Sequence, residues 1–221
     1  MPRFLLCGVF LFAAAPLCAG NQRYENLSGS VRAALSGAIS DQKPRGRSFK
    51  SYNEALTWLS AMSRRIAKRI PDLEYRLELL RAIHYEATRA GLDPQLVLGL
   101  IQVESGFRKY AVSVAGARGY MQVMPFWVEL IGQPDDNLFH LRTNLRYGCV
   151  ILRHYLDMEK GNLFRALGRY NGSLGRPEYP NRVKAAWDQW RLENSEQISA
   201  SALPVPRAID GKLSLSSLNA P

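Results

Sequence analysis

Cysteine is scarce in this sequence: three residues in 221, at positions 7, 18 and 149. That excludes a small domain stapled by disulfides. No C-x-x-C pair occurs and there are only three histidines. Ligand spacing for zinc is therefore missing, and no metal or other cofactor is expected. Alternating apolar and polar runs are absent, which argues against half-buried strands, and no segment repeats. Seventeen glycines and twelve prolines are ordinary numbers, so collagen-like and low-complexity chains are excluded. Acidic residues are few: 19 against 29 Lys and Arg, for a formal net charge of +10. Such an excess suggests an anionic partner, and nucleic acid, anionic lipid and anionic cell-wall polymer all fit it. What is present is apolar side chain, 47% of the chain, too much for a wholly disordered protein. At ~100–200 residues per domain, the length suits one core domain with an appendage.

The N-terminus narrows the partner. Met1-Pro2-Arg3 is a short basic start, residues 4–17 are almost wholly apolar, and Cys18-Ala19-Gly20 are small. This is the three-part form of a secretory signal peptide, cleaved after Ala19 or Gly20, and segment 1–19 is assigned to it. The run is shorter than the ~20 apolar residues of a membrane span; an uncleaved anchor is the other reading. Export removes nucleic acid from the expected partners. Cys7 and Cys18 leave with the leader, and Cys149 remains in the apolar stretch 147–152. A buried structural thiol is the expectation there, not a nucleophile. Lys43, Arg45, Arg47, Lys50, Arg64, Arg65, Lys68 and Arg69 crowd residues 41–70. They read equally as a solvated helix face beside a basic linker or as a binding patch.

The rest reads as helices joined by short turns, an all-α chain. Residues 24–40 form a weak helix, and Lys43-Pro44-Arg45-Gly46-Arg47-Ser48 is a linker. Tyr52, Ala55, Leu56, Leu59, Met62, Ile66 and Ile70 share one helical face up to the break at Pro71. Asp72 caps the next helix, in which Leu73, Leu77, Leu80, His84 and Ala87 share a face and which Gly91 ends. His84 is thereby a packed core histidine. Asp93-Pro94 is an N-cap with proline at the first helical position. That helix runs to about Ser105, and others are expected near 122–131, 141–158, 162–170 and 180–193. Beyond Asn194 the chain is rich in Ser, Ala, Pro and Asn, a flexible tail.

One carboxylate stands out. The helix from Gln95 to Glu104 is apolar nearly all round, so it should be buried. Glu104 stands near its C-terminal end, with Leu100 and Ile101 one turn back and Phe107 following. Lost water and the negative end of the helix both disfavour an anion there. A carboxylic acid kept protonated can serve as a general acid; a Glu that reaches solvent at the helix end is the competing reading. After it come two glycines, Gly116 and Gly119, which permit a tight loop. Gln122 offers an amide, and Tyr120, Met121, Met124 and Trp127 offer surface on which a sugar ring can pack.

Taken together, Glu104-Ser105, Ala111-Val112-Ser113, Gly116-Ala117-x-Gly119-x-Met121-Gln122-Val123-Met124-Pro125 and Tyr170-Asn171-Gly172 resemble the SLT-type lytic transglycosylases, lysozyme-like enzymes that cut bacterial peptidoglycan. Asn144 and Gly148, on an apolar helix, resemble the family's Asn-x-x-x-Gly element. The likeness covers residues 92–190. Tyr120 stands where the family usually has Leu, and Gly172-Ser173 where it has Ala-Gly. The resemblance implies a lysozyme-like helical domain at 92–193; the pattern of the chain adds an N-terminal helical extension at 49–91, a weakly structured segment at 20–48 and a tail at 194–221. It implies cleavage of the β-1,4 bond between N-acetylmuramic acid and N-acetylglucosamine, with Glu104 as acid and then base and a 1,6-anhydromuramic product. Ser113 matches a serine near the acetamido group. Gln122 and Met124 match the groove lining, Tyr170 a tyrosine that hydrogen-bonds the catalytic Glu, and Asn171 its neighbour in the groove. The expected partner is the peptidoglycan glycan strand, met in the periplasm by a monomer. Residues 24–90 are the expected place for an envelope or secretion-apparatus partner. A hydrolase of the same glycan and a non-catalytic wall-binding module remain open. A second carboxylate facing Glu104 across a water-sized gap favours the hydrolase.

Overall fold

The computed structural model describes residues 22–40 and 48–192. The expected leader, most of the basic linker and the tail beyond Asn194 lie outside the described residues. Within them the chain forms α1 (Gly29–Ser40), α2 (Tyr52–Ile66), α3 (Leu73–Arg89), α4 (Pro94–Glu104), α5 (Phe126–Ile131), α6 (Leu141–Met158), α7 (Leu163–Asn171) and α8 (Glu178–Trp190). Among the described residues there is no strand, only isolated bridges that join Val112 to Arg118 and Arg118 to Val123. The protein is all-α, as its periodicity indicates.

The helix starts follow from local chemistry. Ser51 Oγ accepts from the Glu54 N–H at 3.1 Å while the Glu54 carboxylate accepts from the Lys50 N–H at 2.6 Å, a reciprocal cap. Asp72 accepts from the Tyr75 N–H and Asp93 from the Gln95 N–H, both at 2.7 Å. Two boundaries differ from the periodic pattern. Helix α2 stops at Ile66 and reaches Ile70 through turns, and Pro71 bars the helical pattern from continuing past Ile70. Helix α5 begins at Phe126 and not near 122, because Gln122 has a positive φ of 49° and Val123 pairs back with Arg118.

Helix α4 is the buried axis. Leu96, Val97, Leu98, Gly99, Leu100, Ile101 and Glu104 are all buried, which is why no polar face appears in its sequence. Helix α8 crosses it at Gly99. A Cβ there would lie 2.7 Å from the Trp187 backbone nitrogen and 2.9 Å from its Cα, so only glycine allows this approach. Side chains then tie the pair: Trp187 Nε1 donates to Asp93 Oδ2 at 3.1 Å and Trp190 Nε1 to Gln102 Oε1 at 2.9 Å. Arg65 of α2 donates to the Gln189 and Arg191 carbonyls at 3.1 and 3.0 Å, and Arg69 lies over the Phe107 ring. Part of the basic stretch thus works inside the fold, and Lys68 is exposed.

Helices α1 to α3 join the same apolar core as the rest, from Leu35 to Trp190. Buried Glu86 on α3 pairs with Arg146 of α6 at 3.0 Å and with Arg89 at 3.4 Å. His84 is 6% exposed, stacked on Phe49 at 3.7 Å and edge-on to Trp58 at 4.9 Å, and it hydrogen-bonds Ser48. Burial lowers its pKa to about 4. Cys149 is buried as expected, and burial pushes its thiol up, out of the reactive range. No helix among the described residues is long and apolar enough to cross a membrane.

Two outcomes follow from this packing. Gly99→Ala should cost about 2–3 kcal/mol, the range of core overpacking, read as a lower urea midpoint with unchanged slope. His84 is held neutral, so the unfolded chain takes up its proton first as pH falls. Stability should therefore drop by on the order of 3 kcal/mol between about pH 6.5 and pH 4. In His84→Gln, denaturation midpoints measured across that window should lose most of the slope.

Candidate active site

Residues 105–125, between α4 and α5, form a loop that folds back into the protein. Arg118 and Val123 exchange backbone hydrogen bonds at 2.9 and 3.0 Å, and the Gly119 N–H donates to the Ala111 carbonyl at 2.9 Å. Buried peptide groups left over must find side chains, and they do. Ser105 Oγ donates to the Tyr120 carbonyl at 2.7 Å. Asn144 Oδ1 accepts from the Met121 N–H at 2.8 Å, and its Nδ2 donates to the Arg118 and Leu138 carbonyls, both at 2.8 Å. The Tyr170 hydroxyl donates to the Met121 carbonyl at 2.7 Å. Helices α4, α6 and α7 each hold the loop by a polar side chain. Gly119 has φ 77°, and a Cβ on it would lie 2.4 Å from Asn144 Nδ2. One helical turn beyond Asn144, a Cβ on Gly148 would lie 2.4 Å from Met121 Sδ. The Asn-x-x-x-Gly spacing thus supplies a bond to the Met121 backbone and room for its side chain.

Glu104 closes α4 beside this loop, 1% exposed. The Tyr179 hydroxyl, from the first turn of α8, donates to Glu104 Oε1. Burial first, then the charge of Glu104, pushes the Tyr179 and Tyr170 phenols well above their ordinary range. Both stay protonated and act as donors. Arg108 Nε donates to the Ser105 carbonyl at 2.9 Å, where it caps α4. Among the described residues, the other buried acid is Glu86, which is ion-paired. Asp136 accepts from the Tyr147 hydroxyl and the Gln133 N–H, Asp93 caps α4, and Glu129, Asp135 and Glu178 are exposed.

The structure assigns the expected residues more varied tasks than groove lining. Ser113 is half-buried, and its Oγ accepts from the Ala117 N–H at 3.0 Å. Gln122 is 1% exposed, and its Nε2 donates to the Ala111 and Gly119 carbonyls at 3.1 and 3.0 Å, so its amide donors hold the loop. Met124 is half-buried. Asn171 donates to Ser173 Oγ at 3.1 Å, and Gly172, at φ 73°, stops α7 in the left-handed region. The tyrosine seen to donate to Glu104 is Tyr179, and the Tyr170 hydroxyl donates to the Met121 carbonyl. Tyr179 stands outside the helix that periodicity marks at 180–193, so nothing in the sequence flags it. Gln22 is also unheralded. It is 4% exposed, and its Oε1 accepts from Trp127 Nε1 at 3.0 Å and from the Met124 N–H at 3.3 Å.

Residues 81–191 match the family model described as the Transglycosylase SLT domain, half of the chain. The chain belongs to the SLT-type lytic transglycosylase family. It is 30% identical over 109 residues to the transglycosylase of Enterobacteria phage PRD1, covering 49% of this chain and 40% of that protein. It is 32% identical over 112 residues to membrane-bound lytic murein transglycosylase C of Haemophilus influenzae strain PittEE, covering 43% of this chain and 31% of the relative. The SLT-family chain thus spans less than half the length of these relatives. An inactive mutant of lytic transglycosylase Slt from Pseudomonas aeruginosa aligns at TM-score 0.40 and 18% identity, over 81% of this chain and 36% of that one.

Asn144→Ala removes three hydrogen bonds from a residue 1% exposed. At ~1 kcal/mol each, this should cost about 3 kcal/mol. Limited trypsin digestion should then cut at Arg118 before general unfolding, whereas the parent chain resists there.

Proposed function

We propose that this protein is a peptidoglycan lytic transglycosylase. It cleaves the β-1,4 bond between N-acetylmuramic acid and N-acetylglucosamine and leaves a 1,6-anhydromuramic end. The observation that carries this reading is one buried carboxyl, Glu104, held by Tyr179 and set against the clamped loop of a family domain.

The reaction begins with Glu104 in its protonated form, held by the Tyr179 hydroxyl at Oε1. Glu104 protonates the glycosidic oxygen, and the bond to C1 breaks. The acetamido oxygen of the substrate stabilises the sugar cation. Glu104, now a base, takes the proton of the C6 hydroxyl, whose oxygen attacks C1 and closes the anhydro ring. Water is neither consumed nor released. Glycosidases with two flanking carboxylates place the second acid about 5–9.5 Å from the first. Ser113, Gln122, Met124, Tyr170 and Asn171 shape or support the sugar groove, and Tyr110 and Val112 next to Ser113 are exposed, giving apolar surface for sugar faces.

Export through segment 1–19 would deliver the enzyme to the periplasm, where exposed Lys68 meets the carboxylates of the wall. Residues 92–193 form the catalytic unit, a monomer. The extension 49–91 braces it and is the place for an envelope or secretion-apparatus partner.

Digestion of purified peptidoglycan tests the reaction by mass. Products should be one water lighter than reducing-end muropeptides; reducing ends would mean a hydrolase, and sacculus binding without cleavage a binding module. Glu104→Gln should abolish cleavage with an unchanged circular dichroism spectrum. Tyr179→Phe should lower kcat about tenfold to a hundredfold, since a hydrogen bond to a charged group is worth ~1.5–3 kcal/mol.

A further inference from the structure

The match to the family domain begins at residue 81, yet a side chain ahead of it is bonded into the clamped loop. Tyr75, in the first turn of α3, shares a hydrogen bond with the Tyr120 hydroxyl at 2.7 Å. Tyr120 is 1% exposed. Burial first, then the bond to Tyr75, pushes its phenol above the ordinary range, so it stays protonated. The peptide groups around Tyr120 are the fixed points of the loop. The Gly119 N–H before it goes to the Ala111 carbonyl, its own carbonyl takes the Ser105 hydroxyl, and the Met121 N–H after it goes to Asn144. Ser105 directly follows Glu104. Tyr75 is itself held in place. Asp72 Oδ1 takes its N–H at 2.7 Å, and the Lys109 ammonium lies 5.5 Å from the centre of its ring. Arg76 beside it donates to Ser63 Oγ at 2.8 Å and to the Ile70 and Pro71 carbonyls at 2.8 and 3.1 Å. These bonds lock the turn between α2 and α3 from which Tyr75 projects.

We infer that Tyr75 is a positioning residue for the reaction at Glu104, so that the working catalytic unit reaches back into the N-terminal extension. The physical reason is the buried phenol of Tyr120. A buried hydroxyl left without a partner is costly, and its side chain shifts to find one. A shift of Tyr120 pulls on its own peptide, whose carbonyl is bonded to Ser105 at the end of α4. The displacement thus arrives next to the carboxyl, where proton delivery depends on geometry at the ångström scale. Tyr75 prevents this by answering the hydroxyl from a locked helix start, the kind of support that a positioned group needs. A Leu at residue 120 would make no such demand, so the dependence belongs to this chain. The pair is also unequal. Tyr75 is half-buried and can turn its hydroxyl to water if Tyr120 loses its own, whereas Tyr120 has no such recourse. The role of Tyr75 rests on the proposed function.

Steady-state kinetics and hydrogen exchange on the full chain test this role, at a temperature where circular dichroism shows every variant folded. Tyr75→Phe strands the Tyr120 hydroxyl and should lower kcat on soluble peptidoglycan strands about tenfold, with KM within about twofold of the parent. In the same variant the Met121 amide should exchange about tenfold faster relative to the amides of α6. Tyr75→Phe combined with Tyr120→Phe removes both hydroxyls and keeps both rings. That pair should bring kcat and Met121 exchange back to within about threefold of the parent. Tyr120→Phe alone should lose less kcat than Tyr75→Phe, because the hydroxyl it leaves behind can reach water. Unchanged kcat in Tyr75→Phe, a loss confined to KM, or a kcat loss that the double variant does not reduce would overturn the role and make the two tyrosines a brace of the fold only. Normal cleavage by the parent beside such a result removes this inference alone. A parent that leaves peptidoglycan uncut removes the proposed function and this inference with it.

Discussion

The Met121 peptide is where the site is fixed. Its N–H is taken by Asn144 on α6 and its carbonyl by Tyr170 on α7, while the preceding Tyr120 carbonyl is taken by Ser105 at the end of α4. A loop buried this deeply cannot rely on water, so each peptide group needs a dedicated partner. Because the three partners stand on three helices, the loop also locks those helices in register with one another. Gly119 and Gly148 are the steric conditions for the clamp, one for the backbone and one for the Met121 side chain. Gln122 completes it from within by bonding two carbonyls of its own loop.

The Glu104 carboxyl depends on a second close approach. Glu104 is reached by Tyr179 because α8 lies directly against α4, and α8 can lie there because residue 99 has no side chain. The two tryptophans of α8 that bond Asp93 and Gln102 hold the crossing from either side of that notch. Arg65 satisfies carbonyls at the end of α8 from α2. The N-terminal helices therefore support the position of Tyr179 as well as covering the core. A charge excess that reads in sequence as a surface property is in part a set of helix caps and ring contacts.

Much of the fold was legible because its signals are local. The N-caps Asp72 and Asp93, the stop at Gly172, the all-round apolar α4 and the packed His84 each depend on a few neighbouring residues. The boundaries that differ, at Ile66 and Phe126, lie where proline or a left-handed residue interrupts an apolar pattern that itself continues. In the site, Glu104 was legible as an acid with apolar neighbours and no cation on its own helix. Tyr170 was legible as a conspicuous tyrosine, but its bond to the Met121 carbonyl was not, because spacing along the chain cannot say which loop peptide a helix side chain will meet.

By itself the sequence determined the helices, the burial of α4, the buried place of Cys149, and the apolar surroundings of Glu104, since periodicity, capping and residue type act over one or two turns. Only the tertiary structure decided which side chain each group meets. Tyr179 on Glu104 joins residues 75 apart in sequence, and Gln22 on Trp127 joins residues 105 apart. Pairings at such separations depend on how helices cross, which in turn depends on notches such as Gly99 and Gly148 whose value appears only when another element fills them.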